Sequence, residues 1–112
     1  MADRDTQYAH LPKPGNVTMS PLIEAHRDDL LALAGRHRAI RIRVFGSVAR
    51  GDDQPDSDID LLVDFAPEAS LLDLVGLQQD AEALLGRRID IVTPDGVSPF
   101  LRERILLEAR PL

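Results

Sequence analysis

The chain contains no cysteine, so neither a disulfide framework nor a thiolate metal site is open to it, and a reducing cytoplasm is its simplest setting. It also lacks a basic surplus. Thirteen Lys and Arg face nineteen Asp and Glu, for a net charge of −6, and a field of that sign repels phosphate polymers, so general nucleic-acid binding is disfavoured. Long hydrophobic runs are missing too. The opening "MADRDTQYAH" has no signal-peptide core, and no apolar stretch approaches the length of a membrane span. No Walker motif, nucleophile elbow or zinc pattern occurs, and His10, His26 and His37 are scattered without metal-ligand spacing, as ordinary surface or helix residues. At 112 residues the chain can build one modest core, and a second substrate-holding lobe would have to come from elsewhere.

What is present divides into an extension and a domain. Residues 1–19 are polar, with "LPKPGN" unable to hold a helix, and are read as a mobile extension; residues 20–112 form the domain. Ser20 and Pro21 predict an N-cap and first helical residue, followed by Leu22, Ile23, His26, Leu30 and Leu33 at helical spacing as far as Gly35. "AIRIRVFG" alternates Ile40, Ile42 and Val44 against Arg41, Arg43 and Phe45, a strand with one face in the core. "DIDLLVDF" predicts a second strand. Ser70 with Asp73 resembles a capping box opening a helix, with Leu71, Leu74, Val75, Ala81, Leu84 and Leu85 on its apolar side and Gly86 closing it. "RRIDIVT" predicts a third strand, and Ser98-Pro99 the start of a last helix. The expected class is α/β (α+β): a small mixed sheet with helices mainly on one face, its strand order left open.

Chemistry concentrates in "FGSVARGDDQPDSDIDLLVDF", residues 45–65. Strand alternation puts Asp58 and Asp60 on one face, about 7 Å apart along the backbone, and Ile59 and Leu61 on the other. The same alternation separates Asp90 from Ile89 and Ile91, so a neighbouring strand could bring it to the first pair. Two carboxylates about 4 Å apart repel by roughly 4 kcal/mol at an effective dielectric near 20, so such a cluster requires protonation or a cation. An all-oxygen, open-faced set suits Mg²⁺. Gly46 allows close backbone approach to a ligand, Ser47 adds a hydroxyl, and Arg50 one turn later can reach the same anion or pair with Asp52 or Asp53. Asp56 and Asp64 read as loop and strand-end residues, and Ser57 as a turn cap, a prop for Asp58 or a substrate contact. The competing interpretation is a surface ion network joining Asp58, Asp60 or Asp90 to Arg41 or Arg43.

Gly46-Ser47, ten residues, then Asp58-Ile59-Asp60 resembles the signature of the DNA polymerase β-like nucleotidyltransferase superfamily, and the fuller stretch with "GRRIDIVT" and "RERILLEARPL" resembles its minimal nucleotidyltransferase (MNT) domains. The resemblance spans about residues 20–110. It implies the polymerase β-like nucleotidyltransferase fold, one or two Mg²⁺ ions on Asp58, Asp60 and Asp90, and nucleotide phosphates on Gly46 and Ser47, with Arg50 a further candidate. It further implies ATP as substrate and a HEPN ribonuclease toxin as partner, which an MNT antitoxin inactivates by adenylylating a tyrosine. Two other readings stay open: a nucleotidyltransferase acting on a small molecule or RNA, and an antitoxin that neutralises by binding alone.

Overall fold

The computed structural model describes residues 19–112; the expected extension, with His10, lies outside them except for Met19, whose side chain is only 5% exposed. Ser20 and Pro21 do open a helix, but it is short. α1 (Pro21–Ala25) ends at His26, and α2 (Arg27–Arg36) starts there afresh. The expected continuous helix to Gly35 is therefore two helices. The His26 ring turns back to the Leu22 carbonyl at 3.0 Å, and His26 takes a non-helical φ of −115°. The Ser20 hydroxyl makes no capping bond; it donates instead to Asp53 at 3.5 Å. α2 runs past Gly35, and the left-handed residue that turns the chain is Arg38, with φ 62°.

β1 (Ala39–Phe45) buries Ile42 and Val44 as expected, whereas Ile40 is 68% exposed. The register explains it: Ala39 pairs with Phe65 and Arg41 with Asp64, leaving Ile40 as the extra residue of a bulge. A short α3 (Ser47–Arg50) leads into the acidic loop and β2 (Ile59–Phe65), antiparallel to β1. α4 (Leu71–Leu85) carries the full capping box. The Ser70 amide donates to Asp73 at 2.9 Å, the Leu72 amide donates to the Ser70 hydroxyl at 3.2 Å, and Gly86 closes the helix with φ 69°. Its buried stripe is Leu77, Ala81 and Leu85, while Leu71, at the start of the helix, is 73% exposed and Val75, off that stripe, is also exposed.

β3 (Ile89–Val92) pairs parallel to β2 after the α4 crossover. A 3₁₀ turn (Pro94–Gly96) precedes α5 (Pro99–Glu108), in which the Ser98 hydroxyl accepts from the Leu101 amide at 3.3 Å. A two-residue β4 (Arg110–Pro111), which alternation is too short to reveal, returns antiparallel to β1. The sheet order is β3-β2-β1-β4, a mixed sheet. Leu30 and Leu33 of α2 and Leu77, Ala81 and Leu85 of α4 pack with Ile42, Val44, Ile59, Leu61, Val63 and Ile89 in one core on one face. The other face carries the carboxylates. No helix among the described residues is long and apolar enough to cross a membrane.

Candidate active site

The site begins where β1 stops. Gly46 adopts φ 72°, ψ −151°, a conformation that is essentially glycine's alone. It also lies so close to Asp60 that a Cβ built there would stand 2.5 Å from Asp60 Oδ2. Two independent constraints thus demand glycine at this position. The next residue, Ser47, opens α3 half-buried, and its hydroxyl has no partner among the described residues. Gly51, left-handed with φ 79°, ends the helix.

Register brings the carboxylates to one face. Phe45 lies opposite Asp60, and Asp60 opposite Asp90 across the parallel pair, with Ile59 and Ile89 both buried behind them. Paired residues on neighbouring strands are about 4.8 Å apart. Asp58 shares their face by alternation. The three interact: burial first, then the negative charges of Asp90 and Asp58, push the Asp60 carboxyl up to about 6, against a smaller opposing pull from Arg50. No three acidic or histidine side chains among the described residues are gathered closely enough to enclose an ion. As a donor set, half-exposed carboxylates with an uncompensated central member fit a hard cation.

The ion network expected as a competitor forms elsewhere. Arg41 and Arg43 both reach Asp64, at 3.1 and 3.3 Å, and leave Asp60 and Asp90 without an ion-pair partner among the described residues. Asp58 has a loose pairing with exposed Arg88 at 3.6 Å. Arg50 makes one of the pairings the sequence allowed, with Asp52 at 3.4 Å, and its charge is felt at Asp60. It also approaches Glu108 of α5 at 3.8 Å.

Sequence reasoning missed the brace of the acidic loop. Arg87 donates to Asp53 at 2.8 Å, with the two side chains 11% and 8% exposed, and to the Ser57 carbonyl through Nε at 3.0 Å and Nη2 at 2.7 Å. The Ser57 hydroxyl caps the turn by accepting from the Gln54 amide at 2.9 Å, so it does not orient Asp58. Nothing in "GRR" distinguishes Arg87 from Arg88; only the fold does. His37, read as ordinary, bonds Asp80 at 2.7 Å and lies over Gly76, joining α2 to α4 far from the carboxylates.

A carboxylate trio beside a glycine–serine turn is the arrangement the sequence comparisons bear on. The Nucleotidyltransferase domain family matches residues 23–112. The chain belongs to that family. Among other nucleotidyltransferases, "Putative protein adenylyltransferase MJ0435" of Methanocaldococcus jannaschii is 45% identical over 74 residues, 66% of this chain and 80% of that one. "Protein adenylyltransferase MntA" of Thermococcus cleftensis is 38% identical over 87 residues, 78% of this chain and 85% of the other. A solved "putative minimal nucleotidyltransferase" is 52% identical with a TM-score of 0.75, covering 80% of this chain and 92% of that one. At the level of fold alone, the domain also matches, with a TM-score of 0.60 and 19% identity over 79% of this chain and 69% of the other, a structure of a tri-AMPylated Shewanella oneidensis HEPN toxin in complex with MNT antitoxin.

Proposed function

We propose that this nucleotidyltransferase domain is an MNT antitoxin that transfers AMP from ATP to a tyrosine hydroxyl of a partner HEPN ribonuclease toxin and so neutralises it. The observation that carries the reading is the register of Asp60 against Asp90, on the face shared by Asp58 and beside Gly46. Relatives named as protein adenylyltransferases support AMP as the transferred group, and the complex of an AMPylated HEPN toxin supports the partner.

In this reading Gly46 and Ser47, with Arg50 swung from Asp52, hold the β- and γ-phosphates through backbone and hydroxyl donors. That places the α-phosphorus over the aspartates. Asp58, Asp60 and Asp90 would hold one or two Mg²⁺ ions, which when bound supply positive charge at the α-phosphate and the leaving group. The tyrosine oxygen attacks the α-phosphorus, the bond to the bridging oxygen breaks, and pyrophosphate leaves. Asp90, exposed at the end of the trio, accepts the hydroxyl proton. Its exposure suits a group that must meet an acceptor arriving from another chain.

Incubation with the HEPN partner, ATP and Mg²⁺, followed by intact mass and ribonuclease assay, tests the proposal. Each transfer adds one AMP unit and releases one pyrophosphate. Asp58→Ala or Asp60→Ala slows transfer on the order of 10³-fold, the equivalent of about 4 kcal/mol. Neutralisation of the toxin with no change of mass overturns catalysis in favour of binding alone.

A further inference from the structure

We propose that the cavity between the end of β1 and α5 is the subsite for the adenine base of the nucleotide, an assignment that rests on the adenylyltransferase reading above. The cavity holds about 280 Å³ and is lined by Phe45, Gly46, Leu101, Arg104, Ile105 and Glu108. Ligand pockets run from roughly 300 to 1,000 Å³, so this one suits part of a nucleotide, not the whole. Which part follows from its chemistry. Phe45, Leu101 and Ile105 offer flat apolar surface, and the Glu108 carboxylate repels phosphate. Gly46 belongs both to this cavity and to the turn against Asp60, so a nucleotide whose phosphates lie at Gly46 and Ser47 enters it with its uncharged end.

The polar lining matches a base edge. Arg104 and Glu108 are one helical turn apart on α5 and present a donor beside an acceptor. Adenine presents the complement, a ring-nitrogen acceptor next to an amino donor. Arg104 has no ion pair among the described residues, and Glu108 has only the loose 3.8 Å approach of Arg50, so neither must break a strong bond to turn toward the base. Arg50 released from Glu108 is also the group that turns to the phosphates. α5 buries none of its residues, and Leu101 is 48% exposed. Its apolar row is therefore not committed to the core.

Calorimetric titration of the protein with ATP and with tripolyphosphate, both with Mg²⁺, tests the assignment, because tripolyphosphate has the phosphates and lacks the base. The wild type binds ATP more tightly than tripolyphosphate. Leu101→Ala weakens ATP on the order of tenfold, and Leu101→Ala with Arg104→Ala weakens it further. Tripolyphosphate binds Leu101→Ala as it binds the wild type, which also shows that the variant is folded. Undiminished ATP binding by the double variant overturns the subsite, as does equal weakening of both ligands by Leu101→Ala. A wild type that binds both ligands equally overturns the subsite alone, whereas one that binds neither overturns the adenylyltransferase reading with it.

Discussion

Gly46 shows how much of the site hangs on single atoms. An alanine there adds strain of about 1–3 kcal/mol and presses its methyl into Asp60. Gly46→Ala therefore melts at a lower temperature and loses ATP affinity together, as thermal denaturation and calorimetry would record; a variant that melts and binds like the wild type would show that the turn accommodates a Cβ. Asp60 makes the second prediction. Its carboxyl titrates near 6 in the fold against 3.8 ordinarily, so the folded state holds a proton that the unfolded chain releases. That contribution is fully present below about pH 4 and is lost as pH rises through 6. In metal-free protein, melting temperature followed from pH 4 to 7 declines with a component that Asp60→Asn removes. Asp58→Asn with Asp60→Asn melts at or above the wild-type temperature at pH 7, while AMP transfer disappears. These residues were legible in the sequence because alternation and a glycine before a serine are local signals. Ile40 was not: a bulge changes the phase of alternation and leaves no mark in composition.

Among the elements, the acidic loop depends most on something distant. Residues 51–58 have no regular structure of their own apart from turns, and Arg87, at the α4–β3 junction, holds them through Asp53 and the Ser57 carbonyl. Arg87→Ala leaves the Asp53 charge buried without its partner, which costs about 3–5 kcal/mol. Denaturant unfolding would show that loss, and transfer would fall with it because Asp58 terminates the loop. An Arg88→Ala control, removing an 83% exposed side chain, leaves stability near wild type. α4 was readable end to end from its capping box and Gly86, since caps are short-range. The break at His26 was not, because apolar residues continue at helical spacing across it while the backbone turns. Close contact between α2 and α4 was equally hidden: Gly76 gives no sign in sequence that a histidine ring lies above it.

For the whole molecule, three strands, three helices and their class could be inferred, but the strand order in the sheet could not, since pairing is a long-range choice that side-chain periodicity does not encode. The exposure of α5 was similarly illegible: Phe100 is 79% and Leu107 82% exposed, although "SPFLRERILLEA" has the composition of a packed helix. The order β3-β2-β1-β4 divides the site unequally over the chain. Gly46, Ser47, Asp58 and Asp60 flank the connection of a single antiparallel pair, whereas Asp90 arrives only by a parallel crossover through α4. Loop closure between near neighbours is quicker than parallel pairing across a helix, so the phosphate turn and two aspartates reach their mutual positions in the same event, and the third joins later. In refolding experiments Val44→Ala slows folding, and Ile91→Val chiefly speeds unfolding; equal kinetic effects from the two would contradict that sequence of assembly. A folding chain thus meets the repulsion of its three aspartates only at its final pairing, when most of the core's burial is already in hand to oppose it.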